Sequence, residues 1–135
     1  LQDPLALAVP DLQVTRHRER ELHQVAIEER RAVLDTPSIR ERVRDEERAQ
    51  AIESPELSST VRAALLESLF ASGANLLILP IQDAFGWSDR INQPATIGDH
   101  NWTWRLPWPV DRMSTEVEAA VVGAQLRKWS EQHRR

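Results

Sequence analysis

Two polar residues, Gln82 and Asp83, follow closely after the apolar run 76–80, which reads LLILP. An apolar run without alternation is typical of a strand buried on both faces of a parallel sheet, so a short buried strand is predicted near 76–80. In α/β barrels the active site is built at the carboxyl ends of the strands, which makes Gln82 and Asp83 candidate site residues. The alternative is that Asp83 forms an ion pair with Arg90 or Arg105 and fixes the loop that follows.

Four of the chain's five tryptophans lie close together in that loop: Trp87, Trp102, Trp104 and Trp108. Indole rings present large apolar faces with one hydrogen-bond donor and suit stacking against the C–H faces of sugar rings. Nucleobases also stack on aromatic side chains, but a single-strand channel needs positive charge, which this acidic chain lacks. Alternatively, at least two of the four rings fill a core beneath the loop. If the segment is extended, Trp102 and Trp104 point to opposite sides, one buried and one presented.

Composition excludes several classes of site. There are no cysteines, which rules out disulfides, cysteine-based zinc sites and thiol catalysis. The four histidines have no metal-ligand spacing and the four glycines form no phosphate-binding loop, so neither a metal nor a cofactor is predicted. A net charge of −4 argues against nucleic acid and against an anionic membrane surface. The longest apolar run is too short to span a bilayer, and a cytoplasmic location is the default expectation.

The first segment, residues 1–53, is predicted to be a charged helical unit. A thin apolar stripe at three-to-four spacing predicts its first helix and comprises Leu22, Val25, Ala26, Glu29 and Val33. Thr36 followed by Pro37 predicts the start of a second helix. This second helix is expected to carry three apolar side chains on or near one face: Ile39, Val43 and Ile52. The charged residues between them are interpreted as a solvated helix face and not as a binding surface.

The second segment, residues 54–135, opens with a helix predicted from about Ser59 to Ser72 and ended by Gly73. Its wide apolar face comprises Val61, Leu65, Leu66, Leu69 and Phe70. The buried strand at 76–80 is expected next, which gives the αβ half of a β/α unit.

Beyond this strand the periodicity vanishes, and a long irregular loop is predicted over 82–112. A loop of this length in a compact domain is usually functional. The last helix is predicted to begin at Thr115, because Glu118 lies three residues on, at the spacing of a capping box. The side chains expected to face inward from this helix are Val117, Val121, Ala124 and Trp129.

Three sequence motifs occur in order in this second segment: PIQD at 80–83, RINQPAT at 90–96 and NWTWR at 101–105. Their order and separations resemble the region around the eighth barrel strand of the 4-α-glucanotransferases, the family of amylomaltases and disproportionating enzymes. The similarity extends upstream to about Glu28. One departure is Ala95, which stands where glycine is common in the family and affects the geometry of the local turn.

The resemblance implies a parent enzyme with an α/β fold, a (β/α)₈ TIM barrel, of which this chain is the C-terminal piece. A complete barrel needs about 250 residues. The implied activity is transfer of α-1,4-glucan chains between maltooligosaccharides by a retaining mechanism, with a carboxylate nucleophile and a carboxylic acid/base. Both carboxylates lie upstream of the matched motifs in the family and have no counterpart here. The chain is therefore expected to carry no catalytic residue, to be inactive alone, and to pack against the remainder of the barrel.

At the residue level, the resemblance makes Asn92 a substrate contact in the sugar-binding cleft, and Trp102 is taken as a second one. Five further residues are interpreted as organising the loop: Gln82, Asp83, Arg90, Trp104 and Arg105. The alternative to the enzyme fragment is a small, mostly helical sugar-binding or protein-interaction module without catalysis.

Overall fold

The computed structural model describes residues 12–135 of the chain, with side chains from residue 15 onward. The chain forms two compact units that divide between Leu57 and Ser58. The boundary predicted between residues 53 and 54 coincides with the end of a helix within the first unit. No β-strand is formed in the described part of the chain, which is mostly helical.

The first unit contains three helices: α1 (Leu12–Leu34), α2 (Pro37–Arg40) and α3 (Asp45–Glu53). Its buried apolar side chains come from all three helices and from the turn before α3: Ile27, Leu34, Ile39, Val43, Ala51 and Ile52. A hydrogen bond of 2.7 Å from Nε of Arg30 to the carbonyl oxygen of Ile52 joins α1 to the end of α3. This carbonyl is one that the helix itself leaves unpaired.

The stripe predicted for α1 is wrong in three positions. Leu22, Val25 and Val33 are at least half exposed, and the buried face is instead formed by Ile27 and Leu34. These two residues lie seven apart and therefore on one side of the helix. The stripe chosen from sequence alone matched the helical period, but only contact with α2 and α3 decides which side is covered.

The single second helix predicted from Thr36 onward is also wrong, although its start is correct. Thr36 is extended and precedes Pro37 at the beginning of α2, but its hydroxyl donates back to the carbonyl of Val33 at 2.8 Å. The helix ends at Arg40 and a turn separates it from α3. In one straight helix, side chains thirteen residues apart would lie about 20 Å apart. The break lets both α2 and α3 pack against α1.

The second unit contains α4 (Ser59–Phe70), α5 (Ile81–Phe85), a 3₁₀ turn (Val110–Arg112) and α6 (Val117–Gln132). The side chain of Ser58 caps α4 by accepting a hydrogen bond from the amide of Val61 at 3.2 Å. The packing of α4 against α6 centres on the rings of Phe70 and Trp129, 5.7 Å apart. Trp129 is buried, and Val61 is completely enclosed.

Polar contacts extend this packing to the end of α6. Nε2 of Gln132 donates to Oε1 of Glu67 at 3.2 Å, and the ring of His133 lies 3.4 Å from the same oxygen. The guanidinium of Arg135 donates to carbonyls beyond the end of α4 and to that of Phe70 at 2.6 Å. A cation at a helix C-terminus satisfies carbonyls and complements the helix dipole.

The last helix differs from its prediction at both its start and its inward face. It begins at Val117, preceded by Glu116 without a side-chain cap, and the capping box at Thr115 does not form. Val117 and Val121 are well exposed, whereas Ala119 and Trp129 are buried. Ala124 is exposed as well.

The buried strand predicted at 76–80 is not formed. The segment has no regular secondary structure and its backbone has no neighbouring strand within the described residues, whereas a strand requires a ladder partner. Leu76 and Ile78 are 74% and 78% exposed, so the run is apolar on its outer side as well. Leu77 and Leu79 are half-buried in a groove of about 640 Å³ that α6 lines through Leu126. Exposed and half-buried side chains therefore alternate along the segment, because only one of its sides packs against α6.

The long loop predicted from residue 82 begins later than expected. Gln82 and Asp83 belong to α5, and irregular backbone extends from Gly86 to the 3₁₀ turn. Gly86 ends α5 with φ of 75°, a left-handed conformation that suits glycine. Among the described helices, none is both long and apolar enough to cross a membrane.

Candidate functional site

The irregular segment is anchored by an aromatic cluster that we define by Phe85, Trp87, Trp104 and Trp108. The ring of Trp87 is central, because it stacks on Phe85 with centroids 4.4 Å apart and meets Trp108 edge-on at 5.3 Å. Trp104 packs against the same ring at 5.8 Å. Such aromatic pairs add stabilisation beyond the area they bury. Three of the four loop tryptophans therefore pack together with Phe85 in a half-buried cluster.

The aromatic cluster is also joined to α6. Nε1 of Trp87 donates a hydrogen bond of 3.0 Å to Oε1 of Glu118. On the other side, the carbonyl of Gln82 accepts from the amides of Gly86 and Trp87 at 2.7 and 2.9 Å. The cluster thus fixes both ends of the segment between α5 and the 3₁₀ turn.

A second structure within the segment is a turn that we call the 91–103 loop. The amide nitrogen of Trp102 donates to the carbonyl oxygen of Ile91 at 2.7 Å, which closes the loop. Inside it, Oδ1 of Asn101 accepts from the amide of Gln93 at 2.6 Å, and Nδ2 of Asn101 donates to the carbonyl of Thr96 at 3.1 Å. These side-chain bonds substitute for secondary structure, as asparagine and threonine side chains commonly do in turns.

Trp102 lies at the end of this loop and outside the aromatic cluster. Its side chain is 72% exposed, whereas Trp104, two residues on, is packed against Trp87. One indole is presented and the other is half-buried, but the alternation of an extended segment is not the cause, because residues 101 and 102 form a turn. The backbone of Trp102 has φ of 65°, a value that is uncommon for a bulky residue.

The two predicted substrate contacts lie close together along the backbone. Asn92 follows Ile91, whose carbonyl is bonded to the amide of Trp102. The side chain of Asn92 is half-buried and makes no hydrogen bond within residues 12–135. Its amide is therefore available to a ligand. Their role as substrate contacts stays a prediction.

The residues predicted to organise the loop lie in different environments. Trp104 is part of the aromatic cluster, and Gln82 is buried with its Nε2 unpaired. Arg105 donates only to carbonyls of its own neighbours, Thr103 and Trp104, at 3.3 and 3.1 Å. Asp83 and Arg90 are exposed, and the ion pair considered between Asp83 and Arg90 or Arg105 does not form in the described part of the chain.

Sequence reasoning missed the two side chains that make most of the hydrogen bonds in the 91–103 loop, Thr96 and Asn101. Both lie inside quoted motifs, where they were treated only as marks of resemblance. The signal that could have identified them is an asparagine and a threonine flanking a glycine in a segment without periodicity, since both side chains readily bond nearby backbone. No group of three histidine or acidic side chains suited to a metal ion occurs within residues 12–135.

Comparison with known proteins agrees with the motifs of the loop. A protein-family model described as 4-alpha-glucanotransferase matches residues 16–111, a region that includes most of α1, all of α2 to α5 and the whole 91–103 loop. The match begins upstream of Glu28, the point to which the motif resemblance was traced. No curated protein and no solved structure matches the chain. On the length of the family match, the chain belongs to the 4-alpha-glucanotransferase family, glycosyl hydrolase family 77.

Proposed function

We propose that the chain is a part of a 4-α-glucanotransferase and supplies a sugar contact, through Asn92 and Trp102, beside catalytic carboxylates carried elsewhere in the enzyme. The observation that carries the proposal is that the exposed indole of Trp102 and the unpaired amide of Asn92 belong to one loop, whose backbone is closed by a hydrogen bond from Trp102 to Ile91. A flat aromatic face covers the C–H surface of a glucose ring, and an amide pairs with its hydroxyls. The substrate class is an α-1,4-glucan or maltooligosaccharide.

The parent reaction in this proposal is a retaining transfer. A carboxylate attacks the anomeric carbon while a carboxylic acid protonates the leaving oxygen, and the covalent glycosyl intermediate then passes to the 4-hydroxyl of another glucan. In this scheme the described residues of the chain bind and orient sugar and move no proton. The chain alone is therefore inactive in transfer.

The proposed structural partner is the remainder of a (β/α)₈ barrel. Support comes from segment 76–79, where backbone groups without a partner among the described residues and the exposed side chains of Leu76 and Ile78 suit a neighbouring parallel strand. A strand covered on its outer side would bury both residues. The proposed location of the enzyme is cytoplasmic.

The binding part of the proposal is tested with maltoheptaose and the 135-residue chain, by following ¹⁵N-labelled amide signals during titration. We expect saturable shifts at Asn92 and Trp102, and at least a tenfold weaker binding in Trp102→Ala and Asn92→Ala. Two matched controls lie on the same loop. Ile97→Ala removes another exposed apolar side chain. Gln93→Ala removes a side chain that makes no hydrogen bond within the described residues, because only the backbone of Gln93 is bonded. Equal losses in the controls would overturn the assigned contacts.

The catalytic part is tested by iodine staining of amylose. We expect no loss of colour with the chain alone and a loss with a full-length enzyme that contains it. Transfer by the isolated chain would overturn the proposal. A chain that binds maltoheptaose, and whose longer reading frame shows no transfer, would instead establish a sugar-binding module without catalysis.

A further inference from the structure

The 91–103 loop contains two residues in a left-handed backbone conformation that is unfavourable for any residue with a Cβ atom. Ala95 has φ of 60° and Trp102 has φ of 65°. A left-handed conformation costs a residue with a Cβ atom of order 1–3 kcal/mol, so it persists only where surrounding contacts over-determine it. The contacts that hold the loop must therefore be unusually dense for an exposed segment.

The hydroxyl of Thr96 is the centre of those contacts. Its Oγ1 donates to the carbonyl of Gln93 at 2.7 Å, which uses its only proton. The remaining contacts must therefore be accepted by its lone pairs. They come from Nδ2 of Asn101 at 3.2 Å and Nε2 of His100 at 3.2 Å. The geometry thus assigns the Nε2–H tautomer to His100.

Asn101 connects this centre to the position of Trp102. Its side chain bridges the amide of Gln93 and the carbonyl of Thr96, and its own amide donates to the carbonyl of Gly98 at 3.2 Å. The next residue is Trp102, whose amide is bonded to Ile91. A shift of Asn101 would therefore move the indole directly.

We infer that Thr96 and Asn101 are positioning residues that fix the backbone of Trp102, so that its indole is directed outward for stacking on a glucan. This inference rests on the proposed function in one respect, that Trp102 contacts sugar. The loop then enters binding already ordered. An ordered aromatic platform loses less conformational freedom on binding than a mobile one, and affinity rises accordingly.

The test compares Thr96→Val with Thr96→Ser in the 135-residue chain. Valine has the shape of threonine without the hydroxyl, and serine keeps the hydroxyl without the methyl group. Two quantities are measured by ¹⁵N NMR: the hydrogen-exchange rate of the Gln93 and Trp102 amides, and the dissociation constant for maltoheptaose. We expect Thr96→Val to speed exchange and weaken binding about tenfold each, and Thr96→Ser to stay within twofold of the unmodified chain. The thermal midpoint should change little in either.

The outcomes separate the inference from the proposed function. Faster exchange with unchanged affinity in Thr96→Val, while Trp102→Ala binds weakly, would overturn positioning and leave the sugar contact standing. Unchanged hydrogen exchange in Thr96→Val would show that the hydroxyl of Thr96 does not hold the loop, and would overturn the inference. If Trp102→Ala binds maltoheptaose as well as the unmodified chain, or if no binding occurs, the sugar contact falls and the positioning role falls with it.

A second pair of variants tests the same network from another side. A Cβ atom at Gly98 would lie 2.7 Å from Nδ1 and Cε1 of His100, whereas one at Gly73 would meet nothing within 4 Å. We therefore expect Gly98→Ala to displace the imidazole from Thr96, speed exchange at Gln93 and weaken maltoheptaose binding several-fold. Gly73→Ala should change neither quantity. Equal behaviour of the two variants would argue against a role of His100 in holding the loop.

Discussion

Nε1 of Trp87 donates a hydrogen bond of 3.0 Å to Oε1 of Glu118, across thirty-one positions of sequence. This bond joins the aromatic cluster to the first turn of α6, where a carboxylate is also stabilised by the helix dipole. Because Trp87 contacts the other three members of the aromatic cluster, Glu118 on α6 is coupled to the whole cluster through this one ring.

We expect Glu118→Leu to lower the free energy of unfolding of the second unit by about 1 kcal/mol, the usual net value of one hydrogen bond. Glu118→Gln is the matched control, because its amide oxygen can still accept from Nε1 of Trp87. The free energy of unfolding should fall less than half as much in Glu118→Gln as in Glu118→Leu. The measurement is urea unfolding followed by tryptophan fluorescence. Equal losses in both variants would mean that the charge of Glu118 at the start of α6, and not its hydrogen bond to Trp87, provides the stabilisation.

Ala95→Gly is expected to stabilise the chain by about 0.5–1 kcal/mol, because glycine adopts φ of 60° without a Cβ penalty. The same change at Ala124, in the middle of α6, should destabilise by about 1 kcal/mol. Both are read from urea unfolding. If Ala95→Gly lowers stability as Ala124→Gly does, the left-handed backbone at residue 95 is wrong.

Gln82→Met is expected to be neutral or to stabilise by about 1 kcal/mol. Gln82 is 8% exposed and its Nε2 has no partner, and a buried donor without an acceptor is costly. Methionine keeps the length and removes the donor. Gln50→Met, on the exposed side of α3, is the control and should change the thermal midpoint little. A marked drop for Gln82→Met would reveal a hydrogen bond to that amide.

Ile78→Lys is expected to suppress self-association of the isolated chain. Ile78 is 78% exposed, and the backbone of residues 76–79 makes no hydrogen bond within the described part of the chain, so this segment can pair with another chain. Val121→Lys makes the same change of charge at a valine that is 65% exposed on α6. Sedimentation velocity over a range of concentrations should show association of the unmodified chain and of Val121→Lys only. If the unmodified chain stays monomeric at every concentration, the prediction is contradicted.

The stability of the first unit should depend on pH through Asp45. Its Oδ1 accepts from Nη2 of Arg48 at 2.6 Å, and this hydrogen bond and the charge of the guanidinium lower the pKa of Asp45. A carboxyl group with a lower pKa when folded stabilises above its unfolded pKa of about 4, and that stability is lost as pH falls through the folded value.

We therefore expect Asp45→Asn to reduce stability near neutral pH and to weaken its further decline in acid. The effect is small, because the carboxylate is largely exposed. Urea midpoints at neutral pH and at about pH 3 measure it. Glu46→Gln, which removes a neighbouring carboxylate in the first turn of α3, is the control and should keep the acid dependence of the unmodified chain.

Local sequence patterns predicted the helices that carry their own signals. The apolar positions from Val61 onward predicted α4 from about Ser59, and Thr36 with Pro37 predicted the start of α2. Local patterns failed where a side chain had more than one possible hydrogen-bond partner. The spacing of Thr115 and Glu118 suits a capping box, yet Glu118 bonds Trp87 instead and the helix starts at Val117.

The sequence by itself determined the family, because three ordered motifs with fixed separations carry that information without any folded contact. It did not determine which of Trp102 and Trp104 would be presented, because the alternation expected of an extended segment does not apply to a turn in which Trp102 has φ of 65°. Only the tertiary structure decided which one. Trp104 is held by Trp87, fifteen or more residues away in sequence, and Trp102 is held outward by bonds from Ile91 and around Thr96. Such choices depend on which surfaces meet, and a linear pattern does not contain them.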